Sequence, residues 1–272
     1  MKRQNKNWQV EFFVSNGVRT ALWRYQHNTR RQRKNILLIH GINGSHFGLM
    51  ELVKNLIKMN YNPIMLDLPG HGDSDIPDWH DIKNIYKWYN ECLTKISQEC
   101  GEIHKVVAHS FGCYVVDFSN KTIEDITLIC PVPTPNKTSK FLANLAEFFL
   151  RFRWAVRIYN FVPFSVWRGM LLLGEKTSGR RSRIIYVSKH DANTTIDQRR
   201  YQLKILDVIN SKDIFANADP KLVIIGRADM LPKERTVTDF SKVFPNSEVK
   251  EVRGGHLAPI ENAHEIAVLL SA

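Results

Sequence analysis

The sequence predicts an α/β fold: a mostly parallel sheet with helices on both faces and a helical segment inserted late in the chain. Three features of the chain point there. Short apolar runs such as Ile36-Leu37-Leu38-Ile39 read as strands buried on both faces. Between these runs, apolar residues recur at helical spacing. The two patterns alternate along the chain, which calls for parallel strands joined by crossover helices.

Taken in order, Trp8–Val14 and Val18–Tyr25 alternate apolar and polar residues around Ser15-Asn16-Gly17, as a β-hairpin does. Lys34–His40 is the first central strand. Ser45 can cap a helix running to about Asn60, with Phe47, Met50, Leu52, Val53, Leu56 and Ile57 along its inner side. Pro63–Asp67 is the next buried strand, and the turn-rich segment Leu68-Pro-Gly-His-Gly-Asp-Ser-Asp75 follows it. A helix over Asp81–Cys100 leads to a strand at Lys105–His109. A helix from Ser110 to about Asn120 then precedes a strand at Ile126–Cys130. The alternation stops at Pro131-Val-Pro-Thr-Pro135, a stiff exit in which each proline removes an amide donor. It resumes near residue 206 with a strand at Lys221–Gly226, a helix at Lys233–Phe244, a strand at Glu248–Val252 and a closing helix over Glu261–Leu270. Residues 1–130 and 206–272 are therefore expected to form the core. Residues 131–205, with nine aromatic residues between Phe141 and Trp167, are expected to form an inserted lid.

Composition narrows the class. With 272 residues, 43% hydrophobic and 24% charged, the chain has the make-up of a globular protein with a full core. Its four cysteines form no C-x-x-C pair, which disfavours disulfide scaffolds and zinc ribbons. The N-terminus shows no apolar signal region, and no uncharged apolar run is long enough to span a bilayer, so a cytoplasmic location is expected. The formal net charge of +11 is unevenly placed. Residues 1–34 hold nine basic residues against one acid, and residues 137–189 hold eleven against two. Neither segment carries a zinc-finger, RNP or helix-turn-helix signature, so nucleic acid is disfavoured as a partner and a solvated basic face is the simpler reading. Arginines interleaved with the lid aromatics leave peripheral contact with an anionic membrane as a further expectation.

Ala108-His-Ser110-Phe-Gly112 lies at a strand-to-helix junction. Small residues at 108 and 112 permit a tight turn that lifts Ser110 to the C-terminal edge of the sheet, as in a G-x-S-x-G nucleophile elbow. A serine hydroxyl needs a base, and the base needs an acid that holds its tautomer. Gly254-Gly255-His256 after the last strand can present an imidazole, and Gly226-Arg-Ala-Asp229 after the preceding strand a carboxylate. The chain order Ser, Asp, His is the one this architecture uses. His40-Gly41-Ile42-Asn43-Gly44 ends the first central strand, so the amides of Ile42 and Phe111 can form an oxyanion hole. His40 reads as a loop-ordering residue, and the Asp67–Ser74 segment as a structural turn without metal-ligand spacing.

With these motifs the chain resembles the α/β-hydrolase superfamily, in its lid-bearing serine hydrolase or esterase group, over residues 8–130 and 206–272. The resemblance implies an α/β-hydrolase fold, Ser110 as nucleophile, Asp229 as acid, His256 as base, and Ile42 and Phe111 as amide donors, with no cofactor or metal. Ala108 departs from the usual first glycine. Serine rather than aspartate at position 110 disfavours haloalkane dehalogenase and epoxide hydrolase chemistry. The leading expectation is cleavage of a carboxylic ester or related acyl compound with a largely apolar, small-molecule substrate. Two alternatives stay open: C–C bond cleavage or elimination on an acidic carbonyl metabolite, and a slow-turnover ligand sensor on the same fold.

Overall fold

The computed structural model describes residues 7–27, 32–134, 194–209, 215–216, 218–234 and 236–272. The aromatic-rich stretch expected to form the lid lies almost wholly outside them. Eight strands form one sheet in the order β1-β2-β4-β3-β5-β6-β7-β8. They are β1 Trp8–Ser15, β2 Val18–Tyr25, β3 Lys34–Ile39, β4 Tyr61–Leu66, β5 Ile103–His109, β6 Ile126–Ile129, β7 Leu222–Gly226 and β8 Glu248–Val252. Only β2 runs antiparallel to its neighbours, pairing with β1 on one side and β4 on the other. The hairpin turns on Asn16 and Gly17, both with positive φ, which matches the right-handed twist of the strands.

The sheet separates two apolar layers, and β3 feeds both. Leu37 and Ile39 face one layer, which packs against α2 (Ile82–Cys100) through Ile85, Trp88 and Cys92. Ile36 and Leu38 face the other, which packs against α1 (Met50–Lys58) and α7 (Ala263–Ser271) through Leu52, Leu56, Ile266 and Leu270. A strand covered on both faces has no polar side to alternate with, which explains its continuous apolar run. The helix α2 begins where Asp81 accepts a hydrogen bond from the Asn84 amide.

Four expectations for single elements differ from the fold. The helix expected from Ser110 to Asn120 is a single turn, α3 (Gly112–Val115), because Val116 already takes an extended backbone. Ser45 makes no capping bond: a 3-10 turn over His46–Leu49 precedes α1 instead. The helix expected from Lys233 begins only at Val237 as α5 (Val237–Val243), where Thr236 and Asp239 form a reciprocal capping box. The closing helix is broken at Asn262 into α6 (Ala258–Glu261) and α7. The boundary expected at 205/206 falls inside the continuous helix α4 (Ile196–Ile209). Gln198 and Gln202, one turn apart on α4, donate side-chain amides to the carbonyls of Gly72 and Gly70 at 3.1 and 2.9 Å.

Gly112 decides how closely α3 approaches β3. A Cβ there would lie 2.7 Å from the His40 carbonyl and 2.9 Å from that of Ile39. Both are backbone atoms that cannot swing aside. Gly112→Ala is expected to lower stability by about 1–3 kcal/mol, as overpacking does, measured as a reduced urea midpoint with unchanged slope.

Candidate active site

Three strand ends build the site. At the end of β5, Ser110 adopts the left-handed conformation with φ +53°, which a serine takes only when its surroundings hold it there. Its amide is held by the Ile129 carbonyl at 2.9 Å, and the residue is 6% exposed. Ala108 is fully buried on β5, and its methyl group leaves the elbow intact. Beyond β7, Asp229 closes a tight turn through its own amide to the Gly226 carbonyl at 2.9 Å. Beyond β8, the loop carrying His256 is tied to that turn by Ala228 N–H to Gly254 O at 2.8 Å. Glu261 takes a hydrogen bond from the Gly255 amide at 2.9 Å.

These anchors bring the three residues into one line. His256 Nε2 lies 2.6 Å from Ser110 Oγ, and His256 Nδ1 lies 2.8 Å from Asp229 Oδ2. The Leu231 amide donates to Asp229 Oδ1 at 3.0 Å. Burial pushes the Asp229 carboxyl up, but His256 and the Leu231 amide outweigh it and hold the group below the usual carboxylate range. It is therefore ionised and fixes the proton of His256 on Nδ1, so that Nε2 accepts from the serine hydroxyl.

The loop after β3 faces the same serine. A Cβ on Gly41 would stand 2.9 Å from Ser110 Cβ and 3.3 Å from its Oγ, so only glycine lets the backbone come this close. Among the described residues, neither the Ile42 amide nor the Phe111 amide donates to another protein atom. Amides without a protein acceptor can receive a developing negative charge. His40 orders this loop as expected. Its Nδ1 meets the Gly41 carbonyl at 2.8 Å and its Nε2 accepts from the Leu68 amide at 3.0 Å. That pairing requires a neutral ring, and burial lowers its pKa accordingly.

The Asp67–Ser74 turn holds a feature that its sequence does not advertise. Asp67 is fully buried and charged, and donors converge on it. They are the His46 amide at 2.7 Å, His46 Nδ1 at 2.9 Å, the Asp73 amide at 3.0 Å and Trp23 Nε1 at 3.2 Å. Trp23 also stacks on the His46 ring with centroids 3.8 Å apart. Burial pushes the Asp67 carboxyl up, yet the His46 hydrogen bond and charge win and bring it down to about 2. His46, Asp67 and Asp73 have ligand-type atoms within 4.8 Å of one another. The Asp67 oxygens nevertheless face N–H groups, the wrong polarity for a cation. Sequence reasoning missed this cluster, as it missed His109, because only the fold brings residues 23, 46 and 67 together.

A family model described as the alpha/beta hydrolase fold matches residues 34–263, and the chain belongs to that family. No curated protein sequence matches it. Among solved structures, the enol-lactonase of Burkholderia xenovorans LB400 superposes with a TM-score of 0.73 at 14% identity, over 96% of this chain and 98% of that one. The Cif epoxide hydrolase of Acinetobacter nosocomialis gives 0.72 at 15%, over 99% and 90%. A thermophilic esterase gives 0.61 at 20%, over 97% and 96%. At such identities the likeness speaks to the fold alone.

Two outcomes are expected here. Gly41→Ala pushes on Ser110 directly, so reactivity of the serine toward a fluorophosphonate should fall at least tenfold, on the scale of a misplaced reacting atom, while the thermal midpoint moves little. For Asp67, the folded-state pKa lies below the unfolded value of 3.8, so its stabilisation is present above that pH and is lost as pH falls toward about 2. The corresponding loss is about 2 kcal/mol. Chemical unfolding of the wild type at stepped pH should show it, and Asp67→Asn should lack that component.

Proposed function

We propose that this protein is a serine hydrolase that cleaves a carboxylic ester or related acyl compound through Ser110, His256 and Asp229. The observation that carries the reading is the unbroken line from Asp229 Oδ2 through both nitrogens of His256 to Ser110 Oγ, at 2.8 and 2.6 Å. Membership of a hydrolase family and the Ile42 and Phe111 amides without a protein acceptor support it.

In this reading Ser110 Oγ attacks the acyl carbon while its proton passes to His256 Nε2. The carbonyl oxygen gains negative charge and is held by the Ile42 and Phe111 amides. Asp229 steadies the imidazolium that forms. His256 then returns the proton to the departing alcohol, leaving the acyl group on Ser110. A water attacks that acyl-enzyme, again giving its proton to His256, and the acid leaves with the serine restored. A serine at the elbow forms an acyl ester rather than the alkyl ester that a carboxylate nucleophile would give, so the acyl reading stands ahead of epoxide opening.

Turnover of p-nitrophenyl esters from acetyl to octanoyl tests the assignment. Ser110→Ala is expected to lose on the order of 10³-fold or more in kcat, with the fold retained by circular dichroism. Asp229→Asn and His256→Ala should approach that loss, and combining either with Ser110→Ala should add almost nothing, because groups acting as one unit are non-additive. Losses that multiply, or a Ser110→Ala variant keeping a tenth of the wild-type rate, would overturn it.

A further inference from the structure

We infer that His109 is a positioning residue that locks the His256 loop onto the elbow through a hydrogen bond to the His256 backbone. The inference rests on the serine hydrolase reading for its effect on rate, though its geometry stands apart from it.

His109 immediately precedes Ser110, and its Nε2 lies 2.8 Å from the His256 carbonyl oxygen. A carbonyl only accepts, so His109 must carry its proton on Nε2. Adjacent residues of one strand end thus grip His256 twice. Ser110 meets the ring, and His109 meets the backbone that bears the ring. The distance from nucleophile to base is consequently set within a dipeptide rather than across two independent loops. Further supports of the His256 loop are the Gly255 amide to Glu261, the Ala228 amide to the Gly254 carbonyl, and the Cys130 thiol at 3.8 Å from the Gly255 carbonyl. Among the described residues, His109 makes the hydrogen bond that joins the His256 backbone to β5.

The choice of histidine has an electrostatic reason as well. The rings of His109 and His256 have centroids 5.3 Å apart. A second positive charge at that distance would oppose the imidazolium that His256 must become. Burial lowers the His109 ring to about 3, and its neighbour His256 adds to the shift. Asp229 and His40 also act on the ring, the first raising its pKa and the second lowering it. His109 therefore donates as a neutral group, which lysine or arginine cannot do. It also borders a recess shared with His40, Gly41, Leu49, Leu257 and Pro259.

The test compares three variants. His109→Gln keeps a neutral N–H donor at nearly the same reach. His109→Leu removes the donor, and His109→Asn leaves it about one carbon short. Two readouts are taken: ester kinetics, and the low-field proton resonance of the His256 Nδ1–H bridge to Asp229. The leucine variant should lose on the order of 10–100-fold in kcat with little change in KM, the scale of a misplaced base. Its bridging resonance should broaden or vanish. The glutamine variant should recover both most of the rate and the resonance. Should the leucine variant fail to fold, the asparagine variant takes its place with the same expectations. A folded donor-less variant keeping kcat within twofold and an unchanged resonance would overturn the inference. So would a glutamine variant as impaired as the donor-less one. If the wild type turns over no ester, the functional reading fails while the resonance still decides the positioning role of His109.

Discussion

The left-handed backbone at Ser110 is the constraint on which the site depends. A serine at φ +53° is strained, and the strain persists only because three contacts leave no alternative. The Ile129 carbonyl holds its amide, Gly112 lets α3 press against the end of β3, and Gly41 lets the neighbouring loop come up beside the side chain. Because Gly112 meets the end of β3 and Gly41, just past that end, meets Ser110, elbow and opposing loop are fitted to each other. The Ser110 hydroxyl is thereby held close against the Gly41 backbone at one sheet edge.

A second constraint lies beneath that edge. The buried carboxylate of Asp67 gathers N–H groups from β2, from the turn before α1 and from the turn after β4. A buried charge left unpaired would cost several kcal/mol, so each donor is held in place by the others. The turn so ordered supplies the Leu68 amide that fixes His40, and His40 in turn orders Gly41. From the other side α4 reaches the same turn with Gln198 and Gln202. The network thus connects the antiparallel hairpin at one end of the sheet to the loop facing Ser110, a path of hydrogen bonds and not of apolar packing.

Much of this was legible in the chain because it depends on local pattern. The central strands follow from short apolar runs and β1 and β2 from alternation in the hairpin, whereas β8, Glu-Val-Lys-Glu-Val, is largely polar and lies at the sheet edge. Ser110, Asp229 and His256 were legible because each follows a strand at a turn rich in small residues, and turn chemistry is local. The helix after Ser110 misled for the same reason. Its residues tolerate a helix, but the chain must leave for β6 after one turn, and that demand comes from the sheet. The late start of α5 follows instead from a local signal, the capping box of Thr236 and Asp239, and the closing helix breaks at Asn262.

By itself, then, the sequence determined the α/β architecture, the strand ends and the residue types at the elbow, because periodicity and turn preference act over a few neighbouring residues. The tertiary structure alone decided that Asp67 is a buried, charged hub, that two glutamines of α4 grip a glycine turn, and that His109 holds the backbone of His256. Those pairings join residues 44, 126, 132 and 147 positions apart in the chain. Hydrogen bonds and charges of that kind exist only once the apolar layers have closed and excluded the water that would otherwise satisfy each group separately.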